Sequence, residues 1–233
     1  TCKQSELLAA YSRRLNTVEG NSTFYAIPAR PTIKRWCAET APGFRFALKW
    51  PRAITHERRL RDAGSETRAF LRCLEILREH DRLGPSFLQF PAAFDASALP
   101  VLDDYLSGLP GDFPIAVELR HPGFFDEGDC EKRFIGTLER HGADRVLFDS
   151  RCLYSKPPAT ECEQISQARK PRSPLRTEAI GRYPFVRFVG RDDPSEARAW
   201  LEMWAQVLKG WIEEGRTPYF FAHTPDDQFA PDV

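Results

Sequence analysis

The chain has 233 residues, 42% hydrophobic and 28% charged, an ordinary globular balance with length enough to bury a substantial core. Its 33 basic and 33 acidic residues cancel, so no global field draws nucleic acid or an anionic membrane. No apolar run reaches the roughly 18 residues of a membrane-spanning helix, and no signal peptide is visible, so the expected setting is cytoplasmic.

Cysteines stand at 2, 37, 73, 130, 152 and 162 with no C-x-x-C pair, which reads as free thiols in a reducing compartment. The chain opens at Thr1 on a helix-like segment, Glu6 to Leu15. Strand-like runs follow, the first two being "NTVEGNSTFY" (16–25) and "FRFALKW" (44–50). After Ser65, Phe70, Leu74 and Leu77 share a helical face that Gly84 should close. "PSFLQF" (85–90) and "PIAVELR" (114–120) are the next two strands. Phe134, Ile135 and Leu138 then mark a helix before Gly142, and "DRVLFDS" (144–150) is the fifth strand.

Residues 151–182 break this rhythm. They show no convincing periodicity, and Arg169, Lys170, Arg172, Arg176 and Arg182 face only Glu178 between 169 and 182. The expectation is a long basic loop over the mouth of the fold, since loops of this length are usually lids or binding loops. "YPFVRFVG" (183–190) is the sixth strand. A cap at Asp193, Pro194 and Glu196 starts a helix with Leu201, Trp204, Leu208 and Trp211 on one stripe, and "TPYFFAHT" (217–224) is the last strand.

Seven strands alternating with helices predict an α/β protein. The preferred form is a single (β/α)8 TIM-type barrel domain over 1–233, its first strand missing before Thr1. An open doubly wound sheet is weaker, because no glycine-rich phosphate loop follows any strand.

Strand parity places the chemistry. Successive strand side chains face opposite ways, so Ile115, Val117 and Leu119 face helices while Glu118 and Arg120 face inward. The same reading turns Glu19, Asn21, Lys49, Gln89, Asp149 and Arg187 away from the apolar face, near the carboxyl-terminal strand ends where barrel enzymes carry their sites. Simple ion pairs, Arg187 with Asp149 or Lys49 with Glu118, would account for the same residues. The candidate acid–base groups are Glu118, Glu19, His121 and Asp149. The candidate ligand-binding groups are Asn21, Lys49, Gln89, Arg120, Arg187 and His223, with guanidinium groups suited to oxyanions. His56, His121 and His223 with these carboxylates could ligate a metal, but no local metal motif occurs, and metal and cofactor are left open. Phe24, Tyr25, Trp50, Phe90, Phe124 and Phe125 lie just beyond strand ends, as packing under loops or as a wall for a sugar or base ring.

The runs "NTVEGNSTFY", "APGFRFALKWPRAITHERRL", "GPSFLQFP", "AVELRHPGFF", "VLFDS", "PFVRFVG" and "FFAHTPDDQFAP" resemble the YecE-like family, a domain of unknown function, from about Leu15 onward. The resemblance implies a TIM-type barrel and no established reaction. Three departures stand out: the family's glycine-rich first strand is absent, Gly20 replaces a branched apolar residue, and Ala222-His223 replaces an Asn pair. The leading expectation is an enzyme performing acid–base chemistry on a small anionic or polyhydroxylated ligand, which a phosphate group would suit. The alternatives are a metal-dependent nucleic-acid-processing or nucleic-acid-binding protein, not favoured, and a binding module without turnover. Composition leaves the oligomeric state open.

Overall fold

The computed structural model describes residues 6–232. Cys2 and the strand expected before Thr1 lie outside the described residues. The chain divides after Ala116 into two compact units, and the division falls inside a strand.

In the first unit a short helix, α1 (Leu7–Ser12), leads to β1 (Thr17–Gly20), the single turn α2 (Ser22–Tyr25) and α3 (Arg30–Glu39). Strand β2 (Arg45–Leu48), α4 (Gly64–Glu79), β3 (Ser86–Gln89) and α5 (Leu99–Ser107) follow. β1 pairs parallel with β2, Glu19 opposite Ala47, and a parallel bridge joins Lys49 to Phe87. Gly20 is explained by this pairing. A Cβ there would lie 2.5 Å from Leu48 Cδ2, so a branched residue would have to displace that leucine's methyl group.

The core of this unit forms around Trp50, which is fully buried. Its indole nitrogen donates to Ser86 Oγ at 3.0 Å, and its ring lies 4.8 Å from that of Phe70 on α4. That is the apolar stripe the helical spacing predicts. α4 stops before Gly84, at His80, where Asp81 takes a left-handed backbone (φ 53°).

β4 (Ile115–Glu118) runs across the division. The second unit continues with α6 (Asp129–Arg140), β5 (Asp144–Asp149), α7 (Glu161–Arg169), β6 (Phe185–Val189), α8 (Arg198–Glu213) and β7 (Tyr219–His223). β5, β6 and β7 pair parallel in that order. Leu147, Val186 and Phe188 pack with Trp204 and Trp211 of α8, so the amphipathic stripe of that helix covers one face of the sheet. A strand therefore forms in each of the seven expected runs, in α/β alternation, although the first, expected over 16–25, ends at Gly20 and gives way to α2. No helix among the described residues is long and apolar enough to cross a membrane.

Residues 151–182 contain α7, and polar contacts hold them throughout. Thr160 Oγ1 accepts the Glu163 backbone N–H at 3.1 Å, and Glu163 Oε2 accepts that of Ala159 at 2.7 Å, closing the start of the helix. Glu163 is also paired with buried Arg191 at 2.6 Å. Further on, Gly181 and Tyr183 donate backbone N–H bonds to Asp144, at the amino-terminal end of β5. A Cβ at Gly181 would lie 2.7 Å from the Asp144 carboxylate, so close approach needs glycine.

Arg176 is fixed at the same end. Its Nε and a terminal nitrogen donate to Glu131 of α6 at 2.8 and 2.9 Å, and Glu131 also accepts from buried Arg145 at 2.6 Å. Hydrogen bonds from Arg176, with those from Arg145, outweigh burial and hold the Glu131 carboxyl at about 2. The basic stretch therefore spends Arg176 on a staple at the amino-terminal end of β5. Glu131→Gln leaves Arg145 buried without its counter-charge and should cost about 3 kcal/mol of unfolding free energy in urea. A loss below about 0.5 kcal/mol would mean that the triad does not hold the segment.

Candidate functional site

The second unit carries a charge cluster where β4 ends. Glu118 is the last residue of β4, and Arg120, two residues on, donates through Nε to Glu118 Oε1 at 2.7 Å. Arg187, central in β6, donates to the other oxygen, Oε2, at 2.6 Å. Between them lies Phe148 of β5, the register partner of Arg187, with guanidinium carbons 5.7 Å (Arg120) and 5.8 Å (Arg187) from its ring centroid. One carboxylate and one aromatic ring thus fix two guanidinium groups.

The Glu118 side chain is 1% exposed, that of Arg187 6% and that of Arg120 21%. Burial pushes the Glu118 carboxyl up, but the charges and hydrogen bonds of Arg120 and Arg187 prevail and lower it from 4.5 to about 2. It is ionised throughout the physiological range. One carboxylate thus bonds two guanidinium groups, one through each oxygen. Arg120 spends only Nε on the protein. Its two terminal amino groups have no hydrogen-bond partner among the described residues.

Asp149 does not join this cluster, which corrects the parity reading. Register partners in parallel strands face the same way, so Phe148 shares the face of Arg187 while Asp149 shares that of Phe188. Asp149 accordingly meets α8, accepting from Trp204 Nε1 at 2.9 Å. It also accepts the Arg151 backbone N–H at 3.0 Å and two guanidinium bonds from Arg151 at 2.9 Å. Four donors fill the acceptor sites of this carboxylate. Arg187 pairs with Glu118, and Asp149 with Arg151.

His121 follows Arg120 and opens a 3-10 turn over Pro122–Phe124. Its Nδ1 accepts the Gly123 backbone N–H at 3.1 Å, which in the neutral ring leaves the hydrogen on Nε2. His223 ends β7 opposite Val189, on the face that carries Arg187, and its carbonyl accepts the Gly190 N–H at 2.8 Å.

The first unit has its own polar group at the ends of β1, β2 and β3. Asn21 Nδ2 donates to Glu19 Oε1 at 2.8 Å, and Lys49 Nζ donates to Gln89 Oε1 at 2.7 Å. The Lys49 ammonium also lies 4.0 Å above the Phe24 ring. Buried Thr23 places its hydroxyl 2.6 Å from the Lys49 carbonyl and ties α2 to the end of β2. Among the described residues, no three or more His, Cys, Asp and Glu side chains are grouped so that they could hold a metal ion.

Three contributors were not legible: Phe148 as the ring between the arginines, Arg151 as the partner of Asp149, and Trp204 as its indole donor. Strand register would have found Phe148. An indole on the apolar stripe of α8 gives no sign of a hydrogen bond to a strand carboxylate.

The chain belongs to the family described as protein of unknown function DUF72, whose model matches residues 1–233. It is 38% identical over 226 residues to the UPF0759 protein YecE of Escherichia coli strain K12, covering 97% of this chain and 82% of that protein. The protein of the same name in E. coli O157:H7 is 37% identical over the same shares. Among solved structures, a DUF72 family protein from Thermotoga maritima MSB8 matches with a TM-score of 0.74 and 21% identity, over 99% of this chain and 87% of that one. One from Enterococcus faecalis V583 matches at 0.73 and 19%, over 98% and 90%. The family resemblance seen in the strand ends is thereby established, and these structures share the fold.

The lowered Glu118 pKa sets a sign for acid behaviour. A carboxyl depressed on folding contributes stability above its unfolded value and loses it as pH falls through the folded one. Wild-type unfolding free energy should therefore drop between pH 4.5 and about 2. In Glu118→Gln that drop should be smaller by about 3 kcal/mol, since each pKa unit is worth about 1.4 kcal/mol. Parallel pH profiles for the two proteins would show that Glu118 is not held ionised by its arginines.

Proposed function

We propose that the protein binds a small anionic, oxygen-rich ligand at the carboxyl-terminal ends of β4 and β6, and that it is an enzyme acting on that ligand. The proposal takes the seven strands as the greater part of a (β/α)8 barrel. The observation that carries it is Arg120, a partly exposed guanidinium fixed through Nε while both terminal amino groups remain uncommitted among the described residues. That leaves a two-pronged donor for a carboxylate or phosphate, already oriented before the ligand arrives. Arg187 adds positive charge from the same face.

Glu118 in this reading is the fixed counter-charge that aims both arginines. A group ionised down to about pH 2 makes a poor proton carrier near neutrality. Proton transfer is assigned to His121, one residue beyond Arg120, through Nε2. Asp149 is assigned to anchoring Arg151 and α8. The small-ligand reading is favoured over a nucleic-acid one because Arg176 of the 169–182 stretch is paired with Glu131 within the unit.

Calorimetric titration with inorganic phosphate tests the binding claim. Arg120→Ala should weaken phosphate binding by about tenfold or more, the scale of one charge-assisted contact pair. Equal binding by wild type and variant, or no binding by wild type, would overturn it.

A further inference from the structure

The polar group of the first unit is built differently from the arginine cluster and suits a different ligand. Its outermost member is Tyr25, which is 79% exposed. A single exposed aromatic is ordinary on a protein surface. The support behind this one is not. The Tyr25 ring meets Phe24 edge to face, with centroids 5.2 Å apart and an interplanar angle of 86°. Phe24 is braced in turn by His56, at 5.0 Å and 83°, and by the Lys49 ammonium above its face. The exposed ring thus rests against Phe24, which Lys49 and His56 contact in turn.

The hydrogen-bonding groups beside it are mixed in kind. Glu19 accepts and Lys49 donates. Asn21 commits its amide nitrogen to Glu19, and its oxygen has no partner among the described residues. Gln89 commits its oxygen to Lys49, and its amide nitrogen has none among them either. Acceptor and donor capacity side by side fits hydroxyl groups, each of which both donates and accepts. A flat exposed ring supplies the complementary surface for the C–H face of a sugar.

A second observation points to the same place. His56 lies in a π-helical turn, Ala53–Glu57, entered just after Trp50 and Pro51. Such turns are rare and occur frequently at functional sites.

We infer that the ends of β1, β2 and β3 form a binding site for a monosaccharide ring, with Tyr25 as its stacking face and Glu19, Asn21, Lys49 and Gln89 as its hydroxyl contacts. This goes beyond the anion site proposed for the second unit and does not depend on it.

The test is saturation-transfer NMR of the full chain with uncharged D-glucose, D-mannose, D-galactose and D-ribose, each titrated separately. At least one should bind saturably, with its ring C–H protons receiving the strongest transfer. Tyr25→Ala should weaken that binding by about tenfold, and Tyr25→Trp should keep it. The exposed position makes folding of both variants straightforward to confirm by circular dichroism. A second variant, Gln89→Leu, should weaken the same sugar while leaving Tyr25 in place. Failure of all four sugars to bind, or binding by Tyr25→Ala equal to wild type, would overturn the inference. The probes carry no charge, so failure here and failure of the phosphate titration are separate results.

Discussion

A buried carboxylate that must stay ionised is the constraint on which the second unit's charge cluster depends. Glu118 is taken out of water at the end of β4, and a lone charge there would be prohibitive. Arg120, two residues beyond β4, and Arg187 from β6 remove the problem by bonding one oxygen each. The consequence runs in both directions. The arginines keep Glu118 charged, and Glu118 keeps two long, flexible cations in single orientations beside Phe148. The anion binding we propose would require no rearrangement of Arg120, whose ordering has already been met by folding.

The same device recurs with other purposes. Asp144 gathers two backbone N–H groups and so sets where β6 begins. Glu163 joins the start of α7 to Arg191 beyond β6, and Glu131 ties Arg176 to α6. Asp149 binds Arg151 and reaches α8 through Trp204. In these cases the carboxylate holds irregular chain against regular structure. The partly exposed, partly uncommitted cation beside Glu118 is what separates that cluster from the staples.

Much of the scaffold was legible because its signals are local. Each of the seven strands is a short apolar or β-branched run, and α4, α6 and α8 carry apolar residues at helical spacing. α7 escaped notice because the positions it buries include Glu163 and Ser166, so no apolar period marks it. Its signature was Thr160 with Glu163 three residues on, the pattern of a capped helix start. Period-two parity put Glu118 and Arg120 side by side, and the two are hydrogen-bonded although Arg120 lies beyond the strand. It failed for Asp149, because alternation along one strand does not say which of its faces matches the next strand. The register of β5 against β6 settles that, and register depends on residues far apart in sequence. Likewise, nothing local tells Arg187 to choose Glu118 over Asp149.

The central claim is that Glu118 is a permanent anion clamped by two guanidinium groups, and carbon-13 NMR of its carboxyl carbon across a pH titration addresses it most directly. The account predicts no titration between pH 8 and 5 and a midpoint near 2, as far down as the fold persists. A midpoint between about 5 and 7 would make Glu118 a proton carrier instead and would contradict the account.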